Sequence, residues 1–402
     1  MRPARLAYVL NARLPTEQAH GLQAVKMCEA FAAHGIEVTL YSPRRRQPDP
    51  SLAGRSVAEY YGVRRPFRHR ILQNLDVVRL EPALPRAAFP ALFVAHALVW
   101  SWMATRRAER DGADLFFARE PTVGWCLTRR GLPTVFEAHR IPGRTQRRLL
   151  RGIARTGSLR LAVAVTSHIA SDLVALGFPA RRVRTLPDAF DEHAFDDLAE
   201  RSTCRARLGL PQEPWIVGYV GRFRAQGAEK GIVDLIRAFA HLRAMVGEPV
   251  RLLCVGGPPD AVPAYLSLVR ELGIPPGDVA FRDHVPHTEV PVWIRACDVV
   301  TIPTPSTEFF ARFTSPLKLF EYLAAGTPVV ASDQPALHDV LTHGEHALLV
   351  PPERPDLLGR ALHEVLRNPT DAARRAAAAQ RHVRPFTWVR RAARILEPGD
   401  DA

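Results

Sequence analysis

Hydrophobic and polar positions along this 402-residue chain follow two periods, and the order of those periods predicts the fold. The apolar run LAYVL at 6–10 reads as a strand and is followed by a polar loop through Asn11 and Pro15. Leu22, Val25, Ala30 and Phe31 then recur at helical spacing up to the stop signal Gly35, and IEVTL at 36–40 is a second strand. Strand, helix and strand in that order open a parallel sheet. Runs at 115–117, 134–136 and 161–165 extend the series, while the Arg- and Pro-bearing stretch 43–70 predicts a long exposed loop with a little helix. The scheme restarts at WIVGYV, 215–220, with a Gly-rich loop and a helix over 232–243. Strands at 251–255, 279–281, 299–302, 328–331 and 347–350 follow, with helical segments between them. The expectation is an α/β chain of two doubly wound, Rossmann-like domains with a boundary near 188–206. Ligands of such sheets bind where strand C-termini lead into helices.

Length and composition agree with this picture. A chain of this size suits two cores, and 47% hydrophobic with 24% charged residues is ordinary for a soluble globular protein. The five cysteines are far apart and never paired as Cys-x-x-Cys, which argues against disulfide or zinc frameworks and for a reducing compartment. The formal charge of +13 is uneven: residues 1–200 carry 30 Lys+Arg against 19 Asp+Glu. Such a basic half suits anionic lipid or an acidic substrate, or is simply a solvated Arg-rich surface. Residues 87–104 carry no charge, but Pro90, His96 and Ser101 interrupt them. A buried or membrane-touching helix is expected there rather than a membrane span.

Three segments concentrate the chemistry. In TSPLKLFEYLAAGTPVVASD, 314–333, Thr314 or Ser315 is expected to cap a helix with Pro316 at its first position, and Gly326 ends it. A loop leading into a helix start offers free N–H groups and the positive dipole end to phosphate, with Glu321 further along to accept from ribose hydroxyls. The same segment is equally well explained as folding grammar alone. In the second, GYVGRF at 218–223 precedes Lys230 and Gly231, placing two cations on one Gly-rich connection, as a diphosphate clamp requires. This is neither a Gly-x-x-x-x-Gly-Lys-Ser/Thr loop nor a Gly-x-Gly-x-x-Gly turn, which disfavours an ordinary ATPase and a dinucleotide-dependent dehydrogenase. The third is VFEAHRIP, 135–142, a strand that ends in Glu137 and His139 before a turn at Pro142. No Asp-x-Asp pair occurs to clamp a metal ion. Only three of the 54 basic residues are lysine, Lys26, Lys230 and Lys318. A lysine that persists against such an arginine bias marks a place where a compact ammonium fits and a fork does not.

Together these segments resemble the retaining glycosyltransferases of family 4. The matching pieces are Gly221-Arg222 with Lys230-Gly231, Gly256-Gly257, Ala296-Cys297-Asp298, SPLKLFEYLAAGTPVVASD and FTWVRRAARIL at 386–396. The resemblance implies the GT-B fold, two doubly wound Rossmann-like domains facing across a cleft, with the C-terminal helix packing back on the N-terminal domain. It implies an acceptor-binding domain over 1–190, a nucleotide-sugar-binding domain over 191–380 and a returning helix over 381–402. Arg222 and Lys230 would hold the donor diphosphate, and Gly221, Thr314, Ser315, Pro316, Leu317 and Lys318 would line the donor. Glu321 would take the ribose, His139 would face the donor sugar, and His20, Gly21 and Lys26 would lie on the acceptor side. Transfer of a hexose would keep the anomeric configuration and need neither metal nor cofactor beyond the nucleotide sugar.

The sequence departs from the family pattern in three places. Phe313 stands where the first acid of the Glu-x7-Glu pair belongs, the Arg222–Lys230 gap is longer, and His20-Gly21 replaces a Gly pair. The acceptor is expected to be a glycan, a glycolipid or a small molecule. The location is expected to be cytoplasmic, with the basic half touching the anionic inner face of a membrane. Two rivals are a sugar-nucleotide epimerase of the same fold, which needs no acceptor, and an Arg-rich nucleic-acid binder. The second would need aromatic residues interleaved with the basic ones, and the clusters at 44–46 and 147–151 lack them.

Overall fold

A computed structural model describes residues 4–77, 89–141, 143–225 and 227–397. The expected turn at Pro142 and the first two residues of the 87–104 segment lie outside them. The chain forms two compact units, Met1–Pro187 with Trp388–Ala402, and Asp188–Thr387.

The first unit is built on seven parallel strands: β1 (Arg5–Val9), β2 (Glu37–Pro43), β3 (Arg68–Leu72), β4 (Leu115–Ala118), β5 (Thr134–Ala138), β6 (Leu159–Ala164) and β7 (Val183–Thr185). Their order, β3-β2-β1-β4-β5-β6-β7, reverses direction between β1 and β4. The stretch expected to be a loop over 43–70 carries a short helix, Val57–Tyr61, capped by Ser56, and the start of β3. Edge strand β3, Arg-His-Arg-Ile-Leu, is only partly buried, so it has no apolar run to announce it. The helix Phe89–Arg110 buries Trp100, Ser101 and Ala104 while Leu92, Val99, Trp102 and Met103 stay exposed. Among the described residues no helix is long and apolar enough to cross a membrane.

The helix Trp388–Leu396 belongs to this first unit. It buries Trp388, Arg391, Ala392 and Ile395, a stripe at i, i+3, i+4 and i+7, and packs on the helix Ala19–Ala33. The His34 ring hydrogen-bonds the Val389 carbonyl at 2.9 Å.

The second unit has six parallel strands: β8 (Trp215–Val220), β11 (Val250–Val255), β12 (Val279–Arg282), β13 (Val299–Ile302), β14 (Val329–Ser332) and β15 (Leu348–Val350). A two-stranded hairpin, β9 (Arg224–Ala225) and β10 (Ala228–Glu229), interrupts the series after β8. The sheet order is β12-β11-β8-β13-β14-β15, with its switch point between β8 and β13. Val217 and Tyr219 point into one core and Ile216 and Val220 into the other, so the sheet is covered on both faces. A run apolar at every position is what such a strand requires.

Candidate active site

The C-terminal end of β8, at its switch point, is where a doubly wound sheet takes its ligand. Gly221 follows at φ 145°, and an added Cβ would lie 2.9 Å from the Lys318 Nζ. Tyr322 fixes this approach, since its hydroxyl donates to the Val220 carbonyl at 2.9 Å and accepts the Val220 N–H at 2.7 Å. The helix Leu317–Ala324 is thereby tied to the strand end, and Lys318 lies over the Tyr219 ring at 3.5 Å from its centroid. The Tyr219 hydroxyl donates to the Arg222 carbonyl at 2.8 Å, which holds the turn in place.

The hairpin β9–β10 brings Lys230 back to the same place, its N–H donating to the Phe223 carbonyl at 2.8 Å. Glu229 then caps the next helix, Ile232–Met245, accepting from the Gly231 and Ile232 N–H groups. Burial, with Arg222 close by, lowers the Lys230 ammonium to about 8. Burial and then Lys230 push Lys318 well below the usual lysine range, with Glu321 partly opposing them. Neither lysine makes an ion pair among the described residues. Burial raises the Glu321 carboxyl to about 7, against the pull of Lys318, and His287 Nε2 lies 3.6 Å from it. Two desolvated ammonium groups, neither in an ion pair among the described residues, therefore lie together with Arg222 close to Lys230. An anion is the ligand that such a site suits.

The helix start differs from expectation in its cap. Neither Thr314 nor Ser315 caps it; Pro316 occupies the N-cap position, and no side chain closes the first turn. The Thr314 hydroxyl donates to the Phe309 carbonyl across the π-helical turn Phe309–Phe313, and the Ser315 hydroxyl accepts the Asp188 N–H at 2.8 Å. Both hydroxyls are committed elsewhere, so neither caps the first-turn N–H groups of this helix. Phe313, in place of an acid, ends that π-helical turn.

The first unit gathers a second cluster by its own switch point. Glu137, at the end of β5, is fully buried; its Oε1 accepts from Gln23 Nε2 at 2.5 Å and lies within hydrogen-bond distance of His139 Nε2 at 2.6 Å. Its Oε2 pairs with Arg391 Nη1 at 2.7 Å. Burial alone would raise this carboxyl, but Arg391, His139 and Arg119 hold it well below the carboxylate range. Arg119 donates to Gln23 Oε1 at 2.6 Å and to the His20 carbonyl at 3.3 Å. Burial, then Arg119, His139, Arg13 and Arg45, lower the His20 ring to about 3, so it is neutral amid cations.

Gly21 has a packing reason for its identity, because a Cβ would lie 2.4 Å from both Thr16 and the Tyr61 hydroxyl. Lys26, expected on the acceptor side, is buried and pairs with Glu29 at 2.9 Å. Sequence reasoning also missed Gln23, Arg119, Tyr322 and Arg391. Arg391 alone carried a signal, as a charged residue on the apolar stripe of its helix.

A profile described as "Glycosyl transferases group 1" matches residues 214–368, and one described as "Glycosyltransferase Family 4" matches 21–193. A D-inositol 3-phosphate glycosyltransferase of Streptomyces scabiei is 29% identical over 398 residues, 93% of this chain and 84% of its own. The structure of a sucrose-phosphate synthase from Thermosynechococcus elongatus superposes with a TM-score of 0.70 at 21% identity, covering 97% of each chain. Anabaena HepE in complex with UDP-glucose gives 0.68 at 18% identity, covering 97% of this chain and 98% of its own. With one profile on each unit and two parallel, doubly wound sheets between them, the chain belongs to the family 4 glycosyltransferases and has their GT-B fold.

Proposed function

We propose that the protein is a retaining glycosyltransferase that moves a hexose from a nucleotide-diphosphate sugar, without a metal ion. The convergence of Arg222, Lys230 and Lys318 beside an uncapped helix start carries this reading. These groups neutralise a diphosphate leaving group in the way a metal ion otherwise does. Glu321 accepts from the ribose hydroxyls and His139 contacts the transferred sugar. The acceptor hydroxyl attacks the anomeric carbon on the face that the diphosphate leaves, and a departing phosphate oxygen takes its proton. The UDP-glucose named with HepE supports a UDP-hexose donor. The relatives' D-inositol 3-phosphate, together with Arg13, Arg45 and Arg119 around His20, supports a phosphate-bearing polyol acceptor.

The test is turnover of UDP-glucose with D-inositol 3-phosphate in excess chelator. UDP should appear only with the acceptor, and the product linkage should keep the donor's α configuration. Activity lost to chelator and restored by manganese would sink the metal-independent mechanism. Free sugar released from the donor alone would favour the epimerase.

The lowered Lys230 ammonium sets a pH dependence. Below about 8 it is charged; above, it is neutral in the free protein, and a bound diphosphate restores its proton. UDP binding should therefore weaken by up to ~10-fold as pH rises from 7 to 9, with proton uptake greatest on the alkaline side. Titration calorimetry in buffers of different ionisation enthalpy measures this directly. A flat profile would remove Lys230 from the diphosphate.

The exposed apolar residues of Phe89–Arg110, with Arg106 stacked on Trp102 at 4.7 Å, support a further proposal of contact with an anionic membrane. Co-sedimentation with anionic vesicles at low salt, reversed by salt, is the expected result. No co-sedimentation would leave a soluble acceptor as the better reading.

A further inference from the structure

Nothing in the reaction proposed above uses the C-terminal helix, yet its Arg391 enters a buried polar network of the first unit. Arg391 is 4% exposed, and every donor group of its fork has a partner. Nε donates to the Pro187 carbonyl at 2.8 Å and Nη2 to the Leu186 carbonyl at 3.0 Å, while Nη1 meets the Met27 sulfur at 3.3 Å and Glu137 Oε2 at 2.7 Å. The fork is thus held by backbone at the end of β7, and it delivers one fixed positive charge to a fully buried carboxylate. Arg119 also acts on that carboxylate, and the buried Tyr8 hydroxyl feels its charge.

A carboxylate can only accept hydrogen bonds, whereas a carboxylic acid donates one. The oxygen of Glu137 that faces His139 lies 2.6 Å from Nε2 and also accepts from Gln23 at 2.5 Å. The Gln23 donor on this oxygen and the Arg391 guanidinium against the other suit the ionised form, to which the ring can only donate. We propose that Arg391 is a positioning residue: by holding Glu137 ionised against the imidazole, it fixes His139 in the Nε2–H tautomer and leaves Nδ1 as a hydrogen-bond acceptor. A sugar hydroxyl can then donate to Nδ1. Without the guanidinium, the buried carboxyl takes up a proton, donates to Nε2 and turns the ring into the opposite tautomer. The C-terminal helix thereby decides the hydrogen-bonding character of a residue on β5's far loop.

Histidine-labelled ¹⁵N spectra, with His139 assigned by its loss in His139→Gln, read the tautomer in the full-length protein. The wild type should show protonated Nε2 and unprotonated Nδ1. Arg391→Met should invert this and lower kcat at least ~10-fold with the donor KM within about twofold. Arg391→Lys keeps the charge without the fork, so it should retain the tautomer while melting lower. A purely structural arginine would lower stability in both variants and leave the tautomer unmoved. Wild-type His139 protonated on Nδ1 overturns the proposal even if Arg391→Met does not fold. So does a folded Arg391→Met that keeps the Nε2–H form. The kinetic consequence rests on the proposed contact between His139 and the transferred sugar; if the wild type turns over no nucleotide sugar, that contact fails while the tautomer result stands.

Discussion

Lys318→Met is expected to melt higher than the wild type and to lose about 100-fold in kcat/KM. The two effects share one cause. Lys318 is buried over the Tyr219 ring, with a second buried cation, Lys230, nearby and no ion pair among the described residues. A desolvated, unpaired ammonium destabilises the folded chain, and a thioether of similar length fills the same space. Removing it should stabilise the second unit by about 1–3 kcal/mol. The same ammonium lies 2.9 Å from where a Cβ on Gly221 would stand, beside the helix start proposed to receive the diphosphate, and a 100-fold loss is about 2.7 kcal/mol of transition-state stabilisation. The pH dependence has a definite sign. Because the folded state holds Lys318 well below its unfolded range, the unfolded chain binds the extra proton. Wild-type stability therefore rises with pH toward the unfolded lysine value, and the advantage of Lys318→Met shrinks as it does. Melting curves at several pH values alongside donor kinetics give both readings. A variant that melts lower at neutral pH, or that keeps wild-type kcat/KM, would separate Lys318 from the donor site.

Gly231→Ala should cost the second unit about 3–5 kcal/mol, the largest stability effect expected of a single methyl group here. Gly231 sits at φ 87°, the left-handed region, and its missing Cβ would lie 1.6 Å from the Pro303 carbonyl oxygen. The backbone strain alone is worth about 1–2 kcal/mol. The clash is with backbone that follows β13, across the switch point from β8, so neither side can yield without opening the sheet. Lys230 and the Glu229 cap are carried on the same connection, so nucleotide affinity should fall with stability. Urea unfolding checks the first effect and UDP titration the second. Gly35→Ala is a suitable control, since Gly35 has a comparable φ of 79° with nothing within 4 Å of its Cβ. Equal losses in both variants would show that strain, and not the Pro303 contact, is responsible.

The sequence by itself determined the two doubly wound sheets, because a strand buried on both faces must be apolar at every position and a covering helix must repeat its apolar residues every three or four. Both patterns are local, and β1, β8 and β14 carry them without ambiguity. The segments proposed to hold the donor were legible for a related reason: Gly221, Lys230 and the Leu317–Ala324 helix mark strand-to-helix connections, which are also local. The rarity of lysine singled out Lys230 and Lys318, although Lys26, picked out by the same rarity, pairs with Glu29. Edge strands β3 and β7 were hidden, since one open side relaxes the demand for apolar residues.

What only the tertiary structure decided is how polar groups find partners across long stretches of chain. Thr314 and Ser315 are good helix caps by type, but Phe309 and Asp188 claim their hydroxyls. Glu137 is an ordinary acid at a strand end until the returning helix places Arg391 beside it. The preference of a capping residue is worth about 1 kcal/mol, which a single competing hydrogen bond equals. A buried carboxylate needs a countercharge that its own segment does not contain, and where that charge comes from is settled by the path of the chain.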